Sequence, residues 1–326
     1  MEAPLIRPAM IVALAAFVAA IGVSPAHAAG TPAPAGGSGT PAKSSTPSRP
    51  RGPEVKSNLA LVLDEADGRP IYAKHPDRVA PIASITKLMT AMVVLDAGLP
   101  LDGAIALDPA DVDRVKHSKS RLPVGARLGR GDLLHVALMS SDNRAAAALG
   151  RTYPGGTAAC LAAMNRKATE LGMTQSRFAD TTGLSSGNVA SAGDLAIMVR
   201  AASGYPFIRR ATTSALHRVT LSNGRILEYR NSNGLVYNKS WTIGLSKTGY
   251  INEAGRCLVM QATIAARNVV IVLLDSWGKN TRLGDANRIR HWMEANLPLA
   301  GSSSRMGRPA GPAAALTQGT PAGRSR

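Results

Sequence analysis

Apolar positions change period along the chain, and the change outlines the elements. Leu59 to Asp64 and Pro70 to Ala73 are short runs on either side of Asp67-Gly68, a dipeptide suited to a tight turn, so the folded region is predicted to open with a hairpin. From Ser84 to Leu95 the residues Leu88, Met89, Ala91, Met92 and Leu95 fall at helical spacing, with Gly98 just past the end as a C-cap. That predicts an amphipathic core helix with a polar first turn. Between about 109 and 203 the pattern is helical and interrupted, over Leu133 to Met139, Arg144 to Leu149, Thr157 to Leu171 closed by Gly172, and Asp194 to Ala202, with no strand of good quality. Strand character returns in Leu216 to Leu221, Ile226 to Arg230, Thr242 to Lys247, Cys257 to Ile264 and Val269 to Leu274. A closing helix is expected from about Thr281 to Leu297. Strands towards both ends with helices between them predict an α+β fold: an antiparallel sheet flanked by helices, with a helical lobe inserted at about 109–203.

The ends of the chain read differently. Arg7, the apolar run Met10 to Val23 and the small-x-small pattern Ala26-His27-Ala28 read as a secretory signal peptide over residues 1–28. Residues 29–56, rich in Ala, Gly, Pro, Ser and Thr, bury too little apolar area to offset the entropy of ordering them and are expected to be a disordered leader. The same reasoning makes 299–326 a disordered basic tail and leaves 57–298 as the folded domain. No amphipathic anchor helix follows the core, so a periplasmic protein without a membrane anchor in its mature chain is expected.

Charge narrows the partners. The formal net charge is +17, and the two tails supply only part of it. A basic exported protein could meet nucleic acid, anionic lipid or an anionic wall polymer. The export signal favours carboxylate-rich peptidoglycan. At 4% aromatic residues, with no run that interleaves Lys or Arg with Phe or Tyr, a base-stacking surface is not expected, so nucleic acid is set aside. Cys160 and Cys257 could pair in an oxidising compartment, but one falls in a predicted helix and the other in a strand interior, and two buried thiols are the preferred reading. The histidines lack metal-binding spacing and no phosphate-binding glycine loop is found, so no metal or other cofactor is expected.

Three short motifs carry the candidate chemistry: Ser84-Ile85-Thr86-Lys87, Ser141-Asp142-Asn143 and Lys247-Thr248-Gly249. Alone each is weak, since Ser276-Trp277-Gly278-Lys279 repeats the first spacing and Ser186-Gly187-Asn188 resembles the second. Position discriminates, because only Ser84 opens a predicted helix, which sets Lys87 one turn further along the same face. A serine hydroxyl is a poor nucleophile near neutral pH and needs a base, and a lysine serves once burial and a neighbouring cation such as Lys247 lower its pKa. The bland alternatives are an N-cap for Ser84, a solvated Lys87, a helix cap at Ser141 or Asp142, and ordinary polar residues at a strand end for 247–249. In the functional alternative Ser141 relays a proton between Lys87 and the leaving amine and Asn143 positions a substrate amide. Lys247 and Thr248 then hold a substrate carboxylate, and Gly249 lets the substrate backbone come close. The sequence Gly183-Leu184-Ser185-Ser186-Gly187 matches a nucleophile elbow but follows no buried strand and is read as a loop.

Longer stretches share a pattern as well: PIASITKLMTAMVVLDAGLPLD, ALMSSDNRAAAALGRTYPGG, LGMTQSRFADTTGLS and SKTGYINEAGRCLVM. With the three motifs, they make residues 57 to 297 resemble the low-molecular-mass penicillin-binding proteins, serine DD-peptidases of the D-alanyl-D-alanine endopeptidase type. The resemblance implies a β-lactamase/DD-peptidase-like fold, Ser84 as nucleophile, Lys87 as general base and Ser141 and Asn143 as second motif. It further implies Lys247, Thr248 and Gly249 as third motif, and an oxyanion hole from the backbone N–H groups of Ser84 and Tyr250. The implied substrate is a pair of cross-linked peptidoglycan stem peptides, with β-lactam antibiotics as inhibitors trapped at the same serine. A D-alanyl-D-alanine carboxypeptidase, a β-lactamase, for whose extra base no glutamate is convincingly placed since Glu170 near a helix end reads as surface, and a wall-binding protein without catalysis remain the alternatives.

Overall fold

The computed structural model describes residues 52–297. The expected signal peptide, most of the leader and the basic tail lie outside the described residues. The described part begins with ordered chain, because Val55 is buried in a cluster with the last helix and the Lys56 and Ser57 N–H groups donate to the Asp285 carboxylate at 2.8 and 2.7 Å. Val55 and Lys56, within the stretch expected as leader, are thus part of the packed structure.

In chain order the elements are β1 (Leu59–Asp64), β2 (Pro70–Lys74), β3 (Ala80–Pro81), α1 (Lys87–Asp96), β4 (Ala104–Ala106), β5 (Arg127–Gly129), α2 (Arg130–Met139) and α3 (Asn143–Arg151). They continue with α4 (Gly156–Glu170), β6 (Val189–Ala190), α5 (Ala192–Ser203), α6 (Pro206–Thr213), β7 (Leu216–Thr220), β8 (Ile226–Arg230), β9 (Thr242–Ile251), β10 (Gly255–Ile264), β11 (Arg267–Ser276) and α7 (Thr281–Asn296). The main sheet is antiparallel with strand order β2-β1-β11-β10-β9, so the chain's first strand pairs with its last and β9 lies at one edge. The expected hairpin is present: Asp67 accepts from the Arg69 N–H at 2.9 Å and Gly68 takes a positive φ of 71°.

Both faces of this sheet are covered. On β11, Val270, Val272 and Leu274 pack into the cluster that holds α1 to α5, and Val269, Ile271 and Leu273 into the one that holds α7. Burial on both faces explains why this strand reads as one apolar run and not as an alternation. The helices between β2 and β7 form the lobe beside the sheet, which bears out the α+β reading.

Four local expectations change. Ser84 does not open the α-helix: residues 83–86 form a 3-10 turn and α1 begins at Lys87. Nor is α1 amphipathic, because Lys87 to Val94 are all buried, Lys87 and Thr90 included. A helix surrounded by protein needs no polar face, and its two polar side chains are satisfied internally. The third motif does not end its strand. β9 pairs with β10 through Ile251, with Thr248 opposite Leu258 and Gly249 opposite Cys257; the polar residues that look like a strand end continue the ladder at the sheet edge. Finally, the 109–203 segment does hold short strands, β5 pairing with β4 and β6 with β3, each too short to leave a periodic signal. Helix α6, with Pro206 in its first turn, was also not anticipated.

Candidate active site

The site forms where the 3-10 turn, the α2–α3 junction and the edge strand β9 converge. Ala83, just before the serine, is fully buried with φ of 48°, a conformation non-glycine residues rarely adopt. Strain of this kind persists only where surrounding structure imposes it. Here two glycines do so. A Cβ on Gly183 would fall 2.1 Å from the Ala83 carbonyl oxygen, and one on Gly249 would fall 2.9 Å from the Ile82 oxygen and 3.1 Å from the Ser84 nitrogen. Gly249 therefore admits the protein's own turn, which brings the Gly249–Tyr250 stretch of β9 against the Ser84 backbone. Sequence reasoning assigned that freedom to substrate approach.

Lys87 is 1% exposed and its Nζ donates to Ser84 Oγ at 2.8 Å, to Asn143 Oδ1 at 2.6 Å and to the Thr182 carbonyl oxygen at 2.5 Å. None of these acceptors is a carboxylate. Burial pulls the Lys87 pKa down to about 7, against the opposing pull of the Asp180, Asp142 and Asp113 carboxylates. A lysine hydrogen-bonded to a serine and half neutral near pH 7 is chemically equipped to take that serine's proton.

The second motif sits at the α2–α3 junction. Ser141 adopts φ of 64°, Asp142 is the N-cap of α3 and accepts from the Ala145 N–H, and Asn143 is the first residue of α3. Ser141 Oγ receives a hydrogen bond from Lys247 Nζ at 2.8 Å, whereas its expected neighbour is Lys87. Asn143 spends both ends of its amide within the protein, its Nδ2 donating to Ser118 Oγ at 2.8 Å.

Lys247 is as buried as Lys87, and its Nζ also donates to the Thr248 carbonyl oxygen at 2.8 Å. Its pKa lies well below the usual lysine value, first through burial and then through the charges of Lys87 and Arg282. The Thr248 hydroxyl shares a 2.7 Å hydrogen bond with Ser232, whose own N–H donates to the Met139 carbonyl oxygen at the end of α2. Ser232 thus ties the second motif's helix to the third motif's strand, and nothing in its polar loop sequence announces this. Tyr250 closes the row, 52% exposed. All eight sequence-selected residues, Ser84, Lys87, Ser141, Asn143, Lys247, Thr248, Gly249 and Tyr250, lie on these converging segments.

Thr182, Asp180 and Ser118 escaped the sequence reading. The Asp180 carboxylate accepts from the N–H groups of Thr182, Gly183 and Ser185, the Thr182 hydroxyl and Asn188 Nδ2, all at 2.5 to 2.8 Å. It fixes the loop whose Thr182 carbonyl receives Lys87. The elbow-like 183–187 stretch is indeed a loop, with Asn188 serving Asp180. The decoy Ser276 is bonded to Ser57 at 2.6 Å in a buried network with Asp285. Glu170 is exposed at the end of α4, in a hollow with Asp96, Tyr153 and Lys167 that contains no motif residue. Cys160 and Cys257 are buried free thiols, each pushed up to about 12 by burial. His135 and His217 stack ring on ring at 3.8 Å, with His217 Nε2 2.9 Å from Asp132. Among the described residues no cluster of three potential metal ligands occurs and no helix is long and apolar enough to cross a membrane.

Comparison with known proteins agrees with this geometry. A family model described as D-alanyl-D-alanine carboxypeptidase matches residues 43–278. The chain is 47% identical over 243 residues to the D-alanyl-D-alanine endopeptidase of Escherichia coli, covering 74% of this chain and 78% of the relative. It is 45% identical over 260 residues to that of Pseudomonas aeruginosa, covering 78% and 84%. The crystal structure of a Streptomyces DD-transpeptidase superimposes with a TM-score of 0.69 at 27% identity, over 74% of this chain and 98% of that one. The match over most of its length and the lysine-paired serine at its centre together make this chain a member of the D-alanyl-D-alanine carboxypeptidase family of serine DD-peptidases.

Proposed function

We propose that this protein is a DD-endopeptidase that cleaves D-alanyl cross-links between peptidoglycan stem peptides through an acyl-enzyme on Ser84. The observation that carries the reading is the 2.8 Å hydrogen bond from a fully buried Lys87 to Ser84 Oγ, with the Lys87 pKa drawn down to about 7. Neutral Lys87 takes the Ser84 proton as Oγ attacks the carbonyl of the cross-linking D-alanine. The developing oxyanion is held by the backbone N–H groups of Ser84 and Tyr250. Ser141 passes its proton to the departing amine of the second stem and takes one from the Lys247 ammonium; in deacylation water attacks the ester, its proton returns through Ser141 to Lys247, and Lys87 gives its proton back to the Ser84 oxygen. Lys247 and Thr248 receive a substrate carboxylate, and Asn143 holds Lys87 in line.

The endopeptidase relatives of Escherichia coli, Pseudomonas aeruginosa and Haemophilus influenzae share 34 to 47% identity, whereas the carboxypeptidase relatives of Streptomyces, Escherichia coli, Bacillus subtilis and Mycobacterium tuberculosis share 27 to 30%. This supports cross-linked dimers as the substrate over free pentapeptides. β-Lactams acylate the same serine, and with no carboxylate hydrogen-bonded to Lys87 or Ser84 among the described residues, release of that acyl group is slow. The reading of residues 1–28 as an export signal goes with a periplasmic site of action.

The test is product analysis by mass spectrometry on purified cross-linked muropeptides. Uncross-linked monomers without free D-alanine are expected; D-alanine release from pentapeptides with intact cross-links would make the enzyme a carboxypeptidase. Ser84→Ala should remain folded and lose all labelling by a fluorescent penicillin. Lys87→Ala should acylate slower by roughly a hundredfold or more, the scale of a positioned base. Sustained rapid nitrocefin turnover would instead identify a β-lactamase.

A further inference from the structure

Beyond Tyr250 the edge strand runs into a groove that the chemistry at Ser84 does not use. Its cavity, about 300 Å³, is lined by Tyr250, Asn252, Arg256, Asp275, Trp277 and Lys279, among others. Three features set it apart from ordinary surface. Trp277 is 80% exposed, an indole that contributes almost nothing to the core and leaves a large apolar face in water. The backbone is shaped to present it: the β10–β11 register shifts between Arg256 and Leu258 because β11 carries one extra residue there, and in that bulge Asp275 adopts φ of 51° while its carboxylate accepts from Asn58 Nδ2 at 2.9 Å. Bulges re-aim side chains, and strained residues are retained where something beyond folding holds them.

Charge is the third feature. Arg256 lies 4.5 Å over the Tyr250 ring, and among the described residues neither it nor Lys279 is ion-paired. The groove's one carboxylate, Asp275, accepts from Asn58 Nδ2 through one of its oxygens. Two unpaired cations beside an exposed indole, starting one residue from the Gly249 that touches Ser84, match a ligand with a carboxylate on an apolar stem.

We propose that this groove is a substrate subsite that binds an anionic branch of the cross-linked stem peptides, its free carboxylate against Arg256 and Lys279 and its hydrocarbon on Trp277. The inference rests on the DD-peptidase reading of the Ser84 site but not on which bond is cut there. It gives an enzyme of cross-links a means of holding the part of a large substrate that a small penicillin lacks.

Binding to the acylation-dead Ser84→Ala protein tests it, measured by calorimetry with a purified cross-linked muropeptide dimer and with the same dimer after amidation of its carboxylates. Adding Arg256→Gln should weaken the free-carboxylate dimer roughly tenfold, the lower end for a charged hydrogen bond, and leave the amidated dimer unchanged. Lys279→Gln should act in the same direction. Trp277→Ala should weaken both forms several-fold without lowering the melting temperature, since its side chain is exposed. Affinities within twofold of the parent in all three variants would overturn the proposal, as would an Arg256→Gln loss equal for both forms, which would trace to the Tyr250 contact. These outcomes differ from failure of the endopeptidase reading, in which the Ser84 protein leaves dimers uncut while the dead protein still binds them through the groove.

Discussion

Gly183 packs its α-carbon against the carbonyl of Ala83, the residue that hands the chain to Ser84, and no side chain fits between them. Gly183 also holds φ of 84°, so alanine there meets both a clash and a disfavoured backbone. Gly183→Ala is expected to lower stability by more than about 1 kcal/mol. It should slow acylation by a fluorescent penicillin about a hundredfold, the cost of a displacement near 1 Å at the reacting atom. Gly224→Ala, also at positive φ but with nothing within 4 Å of a new Cβ, should keep normal acylation. Equal acylation by the two variants would show that the Ala83–Gly183 contact does not position the serine.

In the proposed mechanism the Lys87 ammonium sets the pH dependence. Burial disfavours its charged form, so its pKa falls from the lysine value to about 7, and only the neutral amine can accept the Ser84 proton. The second-order rate of acylation should therefore rise about tenfold per pH unit below 7 and flatten above it. Stopped-flow acylation between pH 5 and 9 at constant ionic strength measures this. A rate constant independent of pH from 5 to 8 would remove Lys87 from the role of base.

How much of this was visible in the sequence depends on the range of the signal. The three motifs and the long strands β10 and β11 were legible because local period and residue type both report them. The placement of Lys247, Thr248 and Gly249 at a strand end was not correct, since polar residues in an edge strand look like a terminus until the partner strand is known. Thr182 was invisible for a different reason: it serves Lys87 through a backbone carbonyl, and any residue type supplies one. Ser232 and Asp180 act through partners 16 and up to 8 residues away that only the folded loops bring within reach. The glycines at 183 and 249 were legible as glycines, but what they make room for is part of the chain itself.

Asp180 should prove as necessary to the site as to the fold around it. Its carboxylate gathers five donors from residues 182–188, so Asp180→Ala leaves them without their acceptor and frees the Thr182 carbonyl that receives Lys87. Hydrogen bonds to a charged group contribute roughly 1.5–3 kcal/mol each, and partial rehydration of an only half-buried carboxylate site keeps the net loss nearer one such bond than five. A midpoint shift in urea equivalent to about 2–4 kcal/mol is expected. Acylation, measured under conditions where the variant is folded, should also be slower. A variant that unfolds more easily yet acylates at the parent rate would confine Asp180 to stability.

Asn143→Asp offers the cleanest separation of charge from shape. The two side chains are nearly isosteric, and the acceptor oxygen 2.6 Å from Lys87 Nζ can be kept, but a neutral carboxamide becomes a carboxylate. An opposite charge at that distance raises a lysine pKa by about 1–3 units. The pH profile should therefore keep its shape and plateau while its midpoint moves upward by that amount, so that acylation at pH 7 falls by about fivefold for a one-unit shift and by several hundredfold for three, and recovers only above the new midpoint. Asn143→Ala, which removes the acceptor without adding charge, should instead lower the plateau and leave the midpoint near 7. If the aspartate variant were slow at every pH with an unmoved midpoint, Asn143 would be acting through its own amide on the substrate and not through the protonation of Lys87.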